Sequence, residues 1–144
     1  MNITRFSDYT LRVLIYLGTH DGKKSTADEI AKVYGISFHH VAKAAQWLAR
    51  EGYVKSERGR SGGMTLSQQA AEINIGKIVK AAEAGSFLVD CMRANGGECC
   101  IRPSCGLKTA LAEAQTAFYK VLETYSLADI ISEKSALKAL LQPF

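Results

Sequence analysis

The sequence predicts a mainly α-helical protein with one small β-hairpin, and three observations predict it. A short helical pattern, a glycine and a longer helical pattern follow one another in residues 25–51. A basic, glycine-rich hairpin pattern comes directly after, in residues 53–66. An apolar repeat at spacings of three and four then runs through residues 107–125. The first two together read as a winged helix-turn-helix, and the third as a long C-terminal dimerisation helix. At 144 residues, 47% hydrophobic and 22% charged, the chain has the composition of a soluble globular protein and the length for one core with an appended arm. The expected organisation is a winged helix-turn-helix DNA-binding domain over residues 1–85, a cysteine-rich loop over 86–106, and a dimerisation helix with its tail over 107–144.

Taken in order, residues 6–19 form the first helix, with Ser7 as the expected cap and Asp8 in the first turn, where the helix dipole favours negative charge. Its apolar side chains surround the helix, so a second subunit or a C-terminal helix must cover what its own domain leaves open. Thr26–x–x–Glu29 is a capping box that opens a short helix, and Gly35 ends it. Ser37 caps the next helix, whose inner face is Val41, Ala44, Ala45 and Leu48, with Gly52 as its stop. Tyr53 and Val54 suit a strand, and residues 64–66 suit its return. Asn74 caps a helix that ends at Gly85. The long helix follows the cysteines. Ser126 caps a final short helix, LADII, after which the tail is expected to fray. Trp47 and the aromatic residues of the first helix read as packing residues.

Composition narrows the function. No apolar run approaches the ~20 residues that span a bilayer, and the N-terminus lacks a signal-peptide pattern. A cytoplasmic location is therefore expected, where thiols stay reduced. No phosphate loop, HExxH run or cysteine–histidine pairing points to an enzyme. The net charge of +4 is mild, and its placement matters more than its size. From residue 37 to 60 the basic residues Lys43, Arg50, Lys55, Arg58 and Arg60 outnumber the acids Glu51 and Glu57. Ser37, Phe38, His39 and His40 open the second helix of the motif, the part that meets base edges in such proteins. Lys43 lies a turn further on, and Arg58 and Arg60 stand at the hairpin tip, where they can enter a minor groove or pair with phosphates. Double-stranded operator DNA is thus the expected partner. Adjacent residues on a helix point about 100° apart, which works against His39 and His40 sharing a metal.

All four cysteines fall within residues 91–105, CMRANGGECCIRPSC, with spacings Cys91–x7–Cys99–x5–Cys105 and Cys100 as an extra thiol. Glycine, asparagine and proline between them predict a loop. Such a cluster in a reducing compartment points to metal or redox chemistry. Three chemistries are open. Structural zinc prefers close paired cysteines, and adjacent Cys99 and Cys100 can hardly both reach one small ion. A bare thiol redox switch needs no metal. An iron–sulfur cluster is larger, accepts wide ligand spacing from a loop, and would take three cysteines with one further ligand or an open site.

The runs FSDYTLRVLIYL (residues 6–17), VYGISFHHVAK (33–43), LAREGYV (48–54), RGRSGGMTL (58–66), INIGKIVKAAE (73–83) and CCIRPSCGLKTAL (99–111) together resemble the NsrR/IscR superfamily of bacterial winged-helix regulators, over nearly the whole chain. The resemblance implies a homodimer on a pseudo-palindromic operator. It also implies that Cys91, Cys99 and Cys105 ligate an iron–sulfur cluster, [4Fe–4S] with [2Fe–2S] as the alternative, while Cys100 stays outside the ligand set. In one branch a histidine three residues after the third cysteine completes the set; here that position is Lys108. The CGLK run instead resembles the nitric oxide-sensitive repressors, in which a carboxylate near the start of the first helix can be donated across the dimer. Asp8 matches that position; its alternative role is to stabilise the helix N-terminus. The long gap between Cys91 and Cys99, with its added glycine and asparagine, departs from the pattern and leaves the cluster geometry open. The dimer stripe would be Leu107, Leu111, Ala114, Phe118, Val121 and Tyr125. Nitric oxide is the implied signal; iron or cluster status, oxidative stress and a thiol-only switch are the competing readings.

Overall fold

A computed structural model gives the architecture and describes residues 2–57, 59, 62–96 and 98–142. Helix α1 (Arg5–Thr19) starts one turn earlier than expected, because Thr4 is its cap: the Thr4 hydroxyl accepts the Ser7 amide at 3.2 Å. Ser7 is instead buried in the first turn, where its hydroxyl bonds to Glu83. Helix α2 (Ala27–Tyr34) opens with the Thr26–Glu29 capping box and closes at Gly35, whose φ of +62° is a left-handed cap that a side chain would strain. Helix α3 (Phe38–Arg50) buries Val41, Ala44, Ala45 and Leu48 against α1 and α2, as its spacing predicts.

Strands β1 (Val54–Glu57) and β2 (Gly63–Leu66) pair antiparallel, with Val54 opposite Leu66 and Glu57 opposite Gly63. Ser25, just before α2, adds a one-residue third strand: its amide donates to the Met64 carbonyl at 3.0 Å and its carbonyl accepts from the Met64 amide at 2.8 Å. The hairpin is thereby tied to the helix-turn-helix, and a Lys24–Glu57 ion pair adds to that tie. Mainly α with a hairpin wing is the fold the sequence predicts.

Helix α4 (Ile75–Ala82), capped by Asn74, buries Ile75, Ile78 and Val79. Helix α5 (Gly106–Leu122) crosses it, and the chain then turns into α6 (Leu127–Ile130) and α7 (Lys134–Leu140). The junction is close. The Ile75 amide donates to the Tyr125 carbonyl at 3.0 Å, the Leu127 amide to the Ile73 carbonyl at 2.8 Å, and the Asn74 amide group to the Glu123 carbonyl at 2.7 Å. Gly76 permits this approach, since a Cβ there would fall 2.4 Å from the Glu123 nitrogen. Helix α6 also answers the apolar excess of α1: Leu127 and Ile131 are buried, and Ile131 Cδ1 would meet a Cβ on Gly18 at 2.8 Å. The tail does not simply fray. Leu137 packs on the core and Leu141 is buried, an i, i+4 apolar pair that docks α7 beside α1.

Candidate DNA-reading face and cysteine segment

The core side of α3 leaves two outward rows. On one, aromatic residues of α1 engage the helix: Phe6 meets Trp47 edge-on at 5.6 Å, Tyr9 faces the His40 ring at 5.5 Å, and the Lys43 ammonium lies 5.9 Å from the centre of the Phe6 ring. Trp47 is thus a packing residue, as expected. On the other row His39, Ala42 and Gln46, together with Lys43, border an open groove whose far wall includes Ser56 of β1 and Met64 of β2. Ser37 caps α3 with no hydrogen bond from its hydroxyl to the helix, and Phe38, half-exposed, faces His39 at 5.8 Å. The candidates Ser37, Phe38, His39, His40 and Lys43 therefore share one exposed end of the motif, with His40 and Lys43 drawn toward α1. Arg58 and Arg60 lie outside the described residues. Gln46 escaped the sequence reading, although its i+7 spacing from His39 is the signal that finds it.

The cysteine segment is built of turns. Cys91 is half-buried in a 3-10 turn, Asp90–Met92. Cys99 and Cys100 are exposed, and the Cys99 carbonyl accepts the Arg102 amide at 3.2 Å, opening a second 3-10 turn, Arg102–Ser104. Cys105 is the N-cap residue of α5 and is half-buried. The extra glycine in the long gap has a use: Gly96 takes φ +74°, and the Arg102 guanidinium lies so close above it that a Cβ would fall 1.7 Å from Nη1. All four thiols are free. Soft thiolates on a turn-rich backbone fit the donor chemistry of an iron–sulfur cluster. Among the described residues, however, no three His, Cys, Asp or Glu side chains are gathered into a metal site within the chain.

Asp8 stands apart from the cysteines, in a groove bordered by Arg5 and Leu11 of α1, Val79 of α4, and Phe118 and Leu122 of α5. Its carboxylate pairs with Arg12 one turn on, at 3.0 Å from Nε to each oxygen. That hydrogen bond, with the Asp8 charge, raises the Arg12 pKa above its ordinary value. Arg12 also lies 5.5 Å from the centre of the Tyr34 ring, whose hydroxyl burial pushes up to about 12.

Sequence reasoning had no local signal for Glu83. It is 8% exposed at the end of α4, where the cysteine segment begins, and one of its oxygens accepts from the Thr4 amide at 2.7 Å, the Thr4 hydroxyl at 2.8 Å and the Ser7 hydroxyl. Burial pushes its pKa up, but the bonds from Ser7 and Thr4 outweigh that and leave the carboxyl below its ordinary value.

Helix α5 has no buried residue. Its apolar stripe divides into two rows. Phe118 and Leu122 pack on their own core and Leu111 is half-buried beside them, whereas Leu107 (65% exposed), Ala110, Ala114, Ala117 and Val121 (60%) face outward. Tyr125 lies past the helix end and is half-exposed.

Residues 3–133 match the family described as Rrf2, iron-dependent transcriptional regulator. The chain belongs to the Rrf2 family. It is 41% identical over 143 residues to the HTH-type transcriptional regulator NsrR of Geobacillus kaustophilus (strain HTA426), covering 99% of this chain and 97% of that one. It is also 41% identical over 143 residues to the protein of that name from Bacillus subtilis (strain 168), covering 99% and 98%. Among solved structures the fold is similar to CymR (YrzC), the global cysteine regulator of B. subtilis, with a TM-score of 0.72 and 24% identity over 92% of this chain and 98% of that one. It is equally similar to T. potens IscR, with a TM-score of 0.72 and 22% identity over 92% and 88%. This Rrf2 protein is accordingly a DNA-binding transcriptional regulator and not an enzyme. Among the described residues no helix is long and apolar enough to cross a membrane.

Proposed function

We propose that this Rrf2 protein is a nitric oxide-responsive transcriptional repressor. It acts as a homodimer whose affinity for operator DNA is set by an iron–sulfur cluster on Cys91, Cys99 and Cys105. The position of Cys105 carries the reading: it belongs to the thiol set and is the N-cap residue of the exposed helix α5. The 41% identity to NsrR regulators along nearly the entire chain supports the signal.

A cluster held by the three thiolates, [4Fe–4S] by this reading, would supply iron sites that bind nitric oxide. The chain's own residues do the rest. The outer row of α5, from Leu107 to Val121, offers an apolar face to a second copy, and a two-fold axis is the simplest way to cover it. Asp8, in its groove beside α5, is the candidate for a carboxylate ligand given to the partner subunit. Ser37, Phe38, His39, His40 and Lys43, with Arg58 and Arg60 of the wing, meet the DNA. Two such faces must stand about 34–36 Å apart to read successive major grooves, so a small rotation at α5 is enough to weaken binding. Cys105 lies where a change in ligation reaches α5 directly.

Iron and sulfide analysis with an absorption spectrum of anaerobically purified protein tests the cofactor: cluster bands with stoichiometric iron are expected, and their absence in fully reduced protein sinks the reading in favour of a thiol switch. The family description as iron-dependent favours one runner-up, a sensor of iron or cluster status. That version predicts loss of DNA binding on iron chelation with little response to nitric oxide.

A further inference from the structure

We infer that Gln46 is a base-reading residue of α3 and that it recognises an adenine edge in the major groove, two helical turns from His39. The inference rests on the DNA-reading role proposed for α3. Val41, Ala44, Ala45 and Leu48 turn the inner face of α3 into the core, so its outward side chains must do any reading. The aromatic side chains of α1 draw His40, Lys43 and Trp47 to one flank. His39, Ala42 and Gln46, at i, i+3 and i+7, line the open groove that faces Ser56 of the wing, and Lys43 borders it as well. Gln46 is exposed and rises from a floor of alanine side chains, with Lys43 the neighbouring long side chain of α3 in the same groove, a flexible one that can move aside for a duplex or pair with its phosphates.

The chemistry of the row is graded. Gln46 carries one acceptor and two donors on a planar amide, the pattern that pairs with N6 and N7 of adenine. The methyl group of Ala42 between the two polar ends suits contact with a thymine methyl. Seven residues of helix advance about 10.5 Å, or about three base-pair steps of 3.4 Å. Each half-site should then have two read positions about three base pairs apart, one set by His39 and one by Gln46. A lysine or arginine in place of Gln46 would prefer guanine, and its uncharged amide adds little to phosphate attraction.

The test is selection from a pool of randomised double-stranded DNA by the full-length wild type, Gln46→Ala and His39→Ala, with circular dichroism to verify that each is folded. The wild type should enrich a two-half-site motif. Gln46→Ala should lose preference for adenine at one position per half-site by about tenfold or more, with the other positions and the salt dependence of binding unchanged. His39→Ala should relax a different position about three base pairs away. If Gln46→Ala selects the same motif with every preference intact, or weakens all sequences equally with a smaller salt slope, the proposal is overturned. If the wild type enriches no motif, the DNA-reading role of α3 falls with it.

Discussion

Asp8 presents both carboxylate oxygens to Arg12 Nε, each at 3.0 Å, across one turn of α1. Both side chains are 40% exposed, so the pair adds no more than about 0.5 kcal/mol to the fold. Two roles for Asp8 therefore separate cleanly. Asp8→Ala should leave the stability of metal-free protein within about 0.5 kcal/mol of wild type. In anaerobically isolated protein the same change should alter the cluster absorption spectrum. An unaltered spectrum would leave Asp8 as a partner of Arg12 and nothing more.

Glu83 joins the first turn of α1 to the root of the cysteine segment. Glu83→Ala strands three donors and should cost about 1–3 kcal/mol in urea unfolding. The pH dependence follows from its lowered pKa. In the unfolded chain the carboxyl titrates near 4.5, and in the folded chain below that. Its contribution is fully present above 4.5 and is lost as pH falls through the folded value. The stability gap between wild type and Glu83→Gln should be widest at neutral pH and narrow below the unfolded value.

Gly76 and Gly18 make contrasting predictions. A Cβ on Gly76 meets backbone, the Glu123 nitrogen at 2.4 Å and Cα at 2.7 Å, while one on Gly18 meets the end of the Ile131 side chain at 2.8 Å. A side-chain end can turn aside and backbone cannot. Gly76→Ala should cost about 1–3 kcal/mol, and Gly18→Ala distinctly less, by denaturant titration of both.

The outer row of α5 predicts the assembly state. Leu107→Ser with Val121→Ser removes two side chains that are 65% and 60% exposed in the single chain, so helicity should persist. Sedimentation should show the wild type as a dimer and the double variant shifted toward monomer. Two dimers of equal strength would place the interface elsewhere.

Local signals explain what the sequence made legible. Thr26 with Glu29, Gly35, and the inner row of α3 are patterns within a few residues, and each stands where its spacing puts it. The errors lie where a partner is distant in the chain. Ser7 reads as a cap until Glu83, 76 positions away, is seen to take its hydroxyl. The tail reads as fraying until Leu137 and Leu141 are seen on the core. The apolar stripe of α5 reads as one face because spacing alone cannot tell a row that packs at home, Phe118 and Leu122, from one left open, Leu107 and Val121. The cysteine spacing names candidate donors, but spacing alone does not say how the thiols are grouped.

The central claim is that these thiols control DNA binding. It is tested most directly by fluorescence anisotropy with a duplex chosen from a randomised pool, under anaerobic conditions, before and after stoichiometric nitric oxide. Wild type should lose affinity by about tenfold or more, and Cys99→Ala, folded but without the cluster, should bind the same duplex with the weakened affinity of the treated wild type and no further response to nitric oxide. Equal affinity before and after, or a Cys99→Ala response as large as that of wild type, would contradict the account.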